Sequence, residues 1–324
     1  MKSRRSAAKY RVIQICAFPG RSIFPRLDLE SLRPTPDNAE MAAIKKWPVA
    51  LTIAGSDSGG GAGIQADLKT FAALGVHGTS VITCVTAQNP HGVLAVKGVG
   101  VLILRKQLEA VFAELPPAAV KTGMLFSATN IAIIADFFKS LVRKNCPLVI
   151  DPVMVATSGA TLLAPAAMRG LRNELLPLAT LVTPNLAEAA VLARRPIASI
   201  EDMRLGAKTI HEEFGCAVLV KGGHLSQAHE AVDIFFDGRT EWLLAAPRVA
   251  GIRTHGTGCT YSAAVCAAIA LGHDLTGAIE VGKNFISGAI ANSYSVGAHF
   301  SLNHFARSRA DLKPGRRLPA RSGR

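Results

Sequence analysis

The chain has 324 residues, of which 49% are apolar, enough to form one large α/β domain or two small ones. Its formal net charge of +13 suggests nucleic acid as a partner, but the charge is concentrated at the two ends. Residues 1–46 contain 10 basic and 4 acidic side chains, residues 306–324 contain 7 and 1, and the middle, 47–305, is left with a net charge of +1. This distribution argues against a nucleic-acid-binding core, and no apolar run approaches the roughly 18 residues of a membrane span.

The ends of the chain differ in composition from its middle. Residues 1–46 are rich in Pro, Arg and Ser and lack sustained periodicity, so we predict a basic flexible extension and expect residues 1–40 to add nothing to activity. We predict one folded domain over 47–305 and an irregular basic tail over 306–324. The six cysteines show neither C-x-x-C nor metal-ligand spacing, which favours free thiols in a reducing compartment such as the cytoplasm.

The first ordered element is a continuous apolar strand, Pro48–Ala54, of the kind that is buried on both faces of a parallel sheet. It leads into a glycine-rich segment, Gly55–Gly63, which we call the glycine loop, and then into a predicted helix, Ile64–Leu74. The glycine spacing fits neither the P-loop nor the dinucleotide fingerprint. Two interpretations stay open: a flat ligand rests on the backbone near Ala62, or the glycines only allow a tight strand-to-helix turn.

Strands and helices alternate along the rest of the domain. The predicted elements are strand Ser80–Thr86, a short edge strand Val93–Val96, helix Ile103–Leu115, strand end Val120–Met124, a helix to about Arg143, strand Leu148–Val153, helix Pro165–Leu175, strand Ala179–Thr183, helix Glu201–Phe214, strand Ala217–Val220, hairpin Val232–Phe236 with Trp242–Ala245, and helices Tyr261–Gly272 and Thr276–Tyr294. This alternation predicts an α/β fold with a doubly wound, mostly parallel sheet flanked by helices, and with a small edge hairpin.

Several residues, all but one of them polar, fall at or just past the carboxyl ends of strands, where ligands bind in such sheets. They are Gln88, Met124, Asp151, Asn185, Glu188 and Lys221. Asp151, Asn185 and Glu188 are suited to Mg²⁺ held largely through water; alternatively, Asp151 caps a turn and Asn185 with Glu188 caps a helix. Lys221 is suited to a phosphate contact; alternatively, it is a solvated residue at a strand end. Gln88 matches the edge of an aminopyrimidine or satisfies loop backbone, and for Met124 we favour simple packing.

The segment Thr254–Thr260 (THGTGCT) precedes the predicted buried helix Tyr261–Gly272. Its glycines, Gly256 and Gly258, let backbone approach a ligand, and free N–H groups at a helix start attract anions. Cys259 lies at this helix start, where the pKa of a thiol tends to fall. Alternatively, the segment is a glycine-rich cap and Cys259 a small hydrophobe. Together with the strand-end residues it supplies what phosphoryl transfer needs, namely positioning and charge neutralisation.

These residues closely resemble those of the bacterial hydroxymethylpyrimidine/phosphomethylpyrimidine kinases of thiamine synthesis. The resemblance runs in unbroken order over about residues 48–296. The matching segments are Ala50–Asp57, Gly59–Phe71, Thr83–Asn89, Lys121–Met124, Asp151–Met154, Thr183–Asn185 with Glu188, Lys221–His224 and Thr254–Thr260. This resemblance implies a ribokinase-like fold and two successive ATP-dependent phosphorylations. The first acts on the 5-hydroxymethyl group of 4-amino-5-hydroxymethyl-2-methylpyrimidine, and the second acts on the monophosphate.

The resemblance also implies roles for individual residues. Gln88 and the backbone of Ala62 would hold the pyrimidine, with Val153 and Met124 beside it. Gly256, Thr257 and Gly258 would form the anion hole, and Cys259 would be the general base. Asp151, Asn185, Glu188 and Lys221 would serve Mg²⁺ and ATP, the two acids on the metal.

The family resemblance has one departure and leaves two alternatives. After the last helix, Gly297–His304 keeps the family's histidines but lacks its second glycine and its proline. A pyridoxal kinase of the same fold is one alternative, and a catalytically silent pyrimidine-binding regulator is the other. As partners we expect the pyrimidine, ATP and a second copy of the chain in a homodimer, with no nucleic acid and no membrane.

Overall fold

A computed structural model describes residues 47–140, 146–154, 163–223, 225, 230–249, 255–306 and 316–317. The predicted extension 1–46 and most of the predicted tail 306–324 lie outside these residues, as do Thr254 and His224 of the matching segments. Within the tail, Arg316–Arg317 form a short strand on the sheet edge.

The described residues form one mixed sheet with a small separate hairpin. The strands are β1 (Val49–Asp57), β2 (His77–Asn89), β3 (Gly92–Gly98), β4 (Ala119–Thr122), β5 (Leu148–Ile150), β6 (Leu181–Val182), β7 (Ala217–Lys221), β8 (Glu230–Phe236), β9 (Glu241–Pro247), β10 (Tyr294–Val296), β11 (His299–Ser301) and β12 (Arg316–Arg317). The sheet order is β12-β9-β8-β7-β6-β5-β4-β1-β2-β3, and β10 pairs with β11. The strands from β7 to β2 are parallel, and β3, β8, β9 and β12 pair antiparallel at the two edges.

Helices cover both faces of this sheet. They are α1 (Gly63–Ala73), α2 (Val101–Glu114), α3 (Ala128–Ser140), α4 (Pro165–Gly170), α5 (Leu186–Ala193), α6 (Ile200–Phe214), α7 (Thr257–Ala270) and α8 (Leu275–Ala291). Residues of α2, α3, α5 and α6 share one hydrophobic cluster, and residues of α1, α7 and α8 share a second one. Alternate β1 residues belong to different clusters, since Leu51 packs in the first and Ala50 in the second. The predicted doubly wound architecture is therefore confirmed.

The differences from the predicted elements have local causes. The helix predicted at Pro165–Leu175 is α only to Gly170 and continues as a π turn. It ends in a 3-10 turn that contains Pro177, which cannot donate to an α-helical ladder. The strand predicted at Leu148–Val153 ends at Ile150, and the β10–β11 hairpin lies outside any predicted strand. The helix predicted from Tyr261 begins at Thr257, so Thr257, Gly258 and Cys259 form its first turn.

Helix α7 is buried almost all round, which fixes the position of its first turn. Its small side chains, Ala263, Ala264, Ala267 and Ala268 among them, are fully buried. They let the helix lie close to α1, α8 and strands β1, β4 and β5. The start of α7 therefore lies where several strand ends converge.

Candidate active site

The start of α7 is in direct contact with the glycine loop. Gly256 is the N-cap residue with φ +83°, and a Cβ at this position would lie 1.8 Å from the carbonyl oxygen of Gly61. Both the backbone conformation and the lack of space therefore require glycine. The first intrahelical bond runs from Thr260 N to Gly256 O, so the amides of the preceding residues lie outside the helical ladder. These amides and the helix dipole have the arrangement that suits an anion, and we call this place beside the glycine loop the anion site.

The glycine loop is held by a buried carboxylate. Asp57 accepts hydrogen bonds from the backbone N–H groups of Gly59 (2.8 Å), Gly61 (3.1 Å) and Ala62 (2.8 Å). Burial raises the pKa of Asp57, but hydrogen bonds from His255, Ala62 and Gly59 outweigh it and hold the pKa below its ordinary value. Asp57 therefore stays ionised and fixes the backbone at Ala62. The sequence pattern alone assigned no role to Asp57, although an acid two residues before a run of glycines was the available signal.

Gln88, near the end of β2, lies at the same junction. Its Nε2 is 2.9 Å from Nε2 of His255, which in turn lies 3.7 Å from Asp57 Oδ2. The Gln88 backbone is tied to the glycine loop, because its N–H donates to Ser58 Oγ and its carbonyl accepts from the same hydroxyl, both at 2.7 Å. The contact with His255 fixes the orientation of the Gln88 amide. His255 belongs to the THGTGCT segment, but its contact with Gln88 was not foreseen.

An acid–lysine pair faces the other side of the α7 start. Lys221 Nζ donates to Asp151 Oδ1 at 2.8 Å. A Cβ at Gly258 would lie 3.2 Å from Lys221 Nζ and 3.7 Å from Asp151 Oδ2, so this pair lies against the first turn of α7. Burial lowers the pKa of Lys221, but Asp151 and Glu188 outweigh it and the pKa is raised. Lys221 is therefore a permanent positive charge next to the anion site.

Asn185 and Glu188 form a capping box at the start of α5, as one of the two interpretations of their spacing predicts. Asn185 Oδ1 accepts from Glu188 N, and Glu188 Oε2 accepts from Asn185 N, both at 2.9 Å. Glu188 Oε1 also accepts from Met154 N at 3.1 Å. Burial raises the pKa of Glu188; Lys221 lowers it, Asp151 raises it, and the net change is upward.

The donor set fits a magnesium ion held largely through water. Asp151, Glu188 and Lys221 together carry a net formal charge of −1, and both acids are buried. Each carboxylate oxygen has two lone pairs, so the capping bonds leave acceptor capacity. Within the described residues no cluster of three or more His, Cys, Asp or Glu has metal-binding geometry. The remaining ligands would therefore be waters and phosphate oxygens, which is how Mg²⁺ is usually bound.

Cys259 lies in the first turn of α7, and its environment differs from the predicted one. Burial raises the pKa of its thiol to about 11; Lys121 lowers it, while Asp67 and Asp151 raise it further. The prediction that the helix start lowers this pKa is therefore wrong. Burial of the thiol outweighs the lowering effects of Lys121 and of the N–H of Gly63.

The remaining predicted contacts lie at neighbouring strand ends. Val153 has φ +44°, a conformation that is rare for a β-branched residue and that recurs at functional sites. It lies directly before Met154, whose N–H binds Glu188. Met124 follows β4, and a Cβ at Gly55 would lie 3.7 Å from its Sδ.

A cavity of about 220 Å³ lies between α2 and α3, lined by residues that include Arg105 and Asp136, and shares no residue with this site.

The comparisons with known proteins decide the family. The sequence profile described as phosphomethylpyrimidine kinase matches residues 57–303. The chain belongs to this family. A hydroxymethylpyrimidine/phosphomethylpyrimidine kinase of Rhizobium meliloti (strain 1021) is 53% identical over 244 residues, which cover 75% of this chain and 90% of that protein.

Solved structures place the fold in the same group. A phosphomethylpyrimidine kinase from Clostridium difficile 630 is 43% identical, covers 75% of this chain and 99% of its own, and has a TM-score of 0.66. A Bacillus subtilis pyridoxal kinase, solved as an ADP complex, is 37% identical, covers 81% and 98%, and has a TM-score of 0.73. The predicted family, ribokinase-like fold and kinase class are thus confirmed. Within the described residues, no helix combines the length and apolarity needed to cross a membrane.

Proposed function

We propose that this chain transfers the γ-phosphoryl group of ATP to the hydroxymethyl oxygen of 4-amino-5-hydroxymethyl-2-methylpyrimidine, and then a second phosphoryl group to the resulting monophosphate, in thiamine biosynthesis. The observation that carries the proposal is the convergence on the start of α7. Gly256 contacts the glycine loop and Gly258 faces Lys221 and Asp151. A heterocycle and a triphosphate would therefore meet at one helix turn.

The pyrimidine would lie between the glycine loop and the end of β2. Gln88, oriented by His255, would present one hydrogen-bond edge to the amino-pyrimidine ring. The backbone at Ala62, held by Asp57, would support the ring from the glycine loop. Val153 and Met124 would supply apolar contact from β5 and β4. This set fits a flat ring with adjacent donor and acceptor atoms.

The triphosphate would lie against the acids, the lysine and the first turn of α7. The amides of Gly256, Thr257 and Gly258 would bind the transferring phosphoryl group, and Lys221 would neutralise its charge. Asn185 would contribute its amide from the start of α5. Asp151 and Glu188 would hold Mg²⁺, which supplies charge neutralisation for the phosphate oxygens when bound.

Cys259 would act as the general base. Its thiolate would take the proton of the hydroxymethyl group, forming S–H as O–H breaks; the oxygen bonds to the γ-phosphorus, and the bond to the ADP oxygen breaks. This role requires the thiol to lose its own proton first. A pKa of about 11 in the unliganded protein makes the thiolate a minor species at neutral pH.

The test is ATP turnover by the purified chain, measured by coupled ADP release with the pyrimidine alcohol, its monophosphate and pyridoxal in parallel. We expect turnover with both pyrimidines. Turnover with pyridoxal alone would assign the chain to the pyridoxal kinases, which share its fold. No turnover with any of the three, combined with pyrimidine binding in calorimetry, would indicate a silent regulator.

We also propose a homodimer formed through the β3 edge. Leu94 of β3 is 80% exposed, and Leu102 and Ile103 at the start of α2 are 67% and 56% exposed. Large apolar side chains that adjoin an unpaired sheet edge are typical of an interface. Light scattering should give a dimer mass for the wild type and a monomer mass for Leu94→Asp/Leu102→Asp, while Leu271→Asp, at an exposed site after α7, should stay dimeric. A monomeric wild type would refute the proposal.

Location in the cytoplasm stays a prediction.

A further inference from the structure

A fully buried ion pair lies under the start of α7. Lys121 of β4 and Asp67 of α1 are both 0% exposed, and Lys121 Nζ donates to the two carboxylate oxygens at 3.0 and 2.8 Å. Asp67 also accepts from Thr52 Oγ1 of β1 at 2.6 Å. Removing both charges from water is costly, and an apolar pair of similar volume is often at least as stable. The pair therefore calls for a role other than stability.

The position of the lysine head group suggests that role. A Cβ at Gly123 would lie 2.9 Å from Lys121 Nζ, so the ammonium group lies at the carboxyl end of β4, next to the strand-end residues of the site. Helix α7 packs on both β4 and α1, the two elements that carry the pair. The charge of Lys121 acts on Cys259, and Cys259 acts in turn on Lys121. The half-buried sulfur of Cys259 also receives a hydrogen bond from the backbone of Gly63, one turn before Asp67 in α1, so it lies close to the element that carries the carboxylate.

We propose that Lys121, held in place by Asp67, is a positioning residue that stabilises the thiolate of Cys259. The role of this thiolate as base rests on the proposed function, whereas the effect of Lys121 on the sulfur does not. Four charged groups act electrostatically on the sulfur: Lys121 from β4, Asp67 from α1, Asp151 after β5, and Lys221 from β7. Among the charges that act on the thiol, Lys121 has the largest effect, and it exceeds the opposing effect of Asp67. Removal of both members of the pair should therefore still disfavour the thiolate.

The experiment measures the rate of iodoacetamide alkylation of Cys259 against pH, read by peptide mass spectrometry without substrate. The variants are Lys121→Met and Lys121→Met/Asp67→Leu; the double variant leaves no unpaired buried charge and protects the fold. We expect Cys259 to react about tenfold more slowly at pH 9 in Lys121→Met, which corresponds to a pKa shift of about one unit. The double variant should also react more slowly than the wild type, but by a smaller factor, because it loses the opposing charge of Asp67 as well. Cys146, whose thiol pKa is also about 11 but is raised by burial alone, is the internal control and should not change.

A second buried pair provides the matched control. Lys283 Nζ donates to Asp233 Oδ2 at 2.7 Å, and both side chains are buried. Lys283→Met/Asp233→Leu should leave the alkylation profile of Cys259 unchanged. An unchanged profile in folded Lys121→Met/Asp67→Leu would overturn the proposal, as would an equal shift in the control pair.

Kinase assays separate this proposal from the proposed function. If Cys259 is the base, kcat of Lys121→Met/Asp67→Leu should recover as the pH rises, which loss of packing alone would not produce. Full kcat in Cys259→Ala would refute the base and leave the alkylation result standing. A kcat deficit that does not respond to pH would contradict the role of Lys121 in catalysis.

Discussion

His304 gives the start of α7 a stability that depends on pH. It lies after the β10–β11 hairpin, is 5% exposed, and its Nε2 is 3.1 Å from Thr260 Oγ1, one residue after Cys259. Burial, and then the charge of Lys69, lower the pKa of His304 from 6.5 to about 4; a hydrogen bond with the backbone of Leu302 opposes them. His304 is therefore neutral in the folded protein.

The sign of the effect follows from proton uptake. Between pH 6.5 and about 4, the unfolded chain binds a proton at His304 and the folded chain does not. The free energy of unfolding therefore falls as the pH falls through this window, and it is fully restored above pH 6.5. A difference of about 2.5 units corresponds to at most about 3 kcal/mol.

The assay is urea denaturation followed by circular dichroism at pH 7 and at pH 4.5, for the wild type and for His304→Asn. The variant cannot titrate at this site, so the loss of stability on acidification should be smaller than in the wild type by about 2 kcal/mol. His273→Asn, at an exposed position after α7, should lose as much as the wild type. Equal losses in the wild type and His304→Asn would refute the reasoning.

The remaining predictions concern the site directly. Cys259→Ala should lower kcat by about 100-fold or more, as expected for loss of a general base, while calorimetry shows pyrimidine binding retained; unchanged kcat would remove it as the base. Gln88→Ala should raise KM for the pyrimidine about tenfold through a lost hydrogen bond, and an equal KM would count against the contact. Glu188→Gln should raise the Mg²⁺ concentration for half-maximal rate, and an identical metal titration would contradict its role. Gly256→Ala should abolish turnover, whereas Gly272→Ala, also at positive φ but with no atom near its Cβ, should only lower stability; similar turnover in both would show that the close approach at Gly256 is unimportant.

The sheet could be predicted because its strands are recognised from the pattern of apolar residues along the sequence. Continuous apolar runs such as Leu148–Ile150 are typical of strands that are buried on both faces, and the glycine loop marks where β1 turns into α1. The π and 3-10 turns after α4 were not predictable, because they depend on how a proline-containing segment packs. Helix α5 has only 8 residues and is set by its capping box, which has a second, ligand-binding interpretation.

The site was predictable only where chemistry and strand ends coincide. Residues such as Lys221 and Asp151 stand out because each follows an apolar run, and their pairing follows from the parallel sheet. The Asp67–Lys121 pair spans 54 positions and lies inside segments whose pattern indicates a helix and a strand, so no local signal marks it. The predicted direction of the Cys259 pKa shift was wrong for a similar reason. The start of the helix is visible in the sequence, whereas the desolvation of the thiol depends on every group that packs around the sulfur.

The first turn of α7 is held from several directions at once, and this has a consequence for catalysis. Gly256 rests on the glycine loop, and Gly258 faces Lys221 of β7. Cys259 interacts with the buried pair of β4 and α1, and Thr260 contacts His304. The amides that we propose to bind the phosphoryl group are thus placed by packing of segments that are remote in sequence. Positioning of this kind affects the transition state more than ground-state binding. Substitutions in these supports should therefore lower kcat more than they raise KM, whereas substitutions at Gln88 should do the reverse.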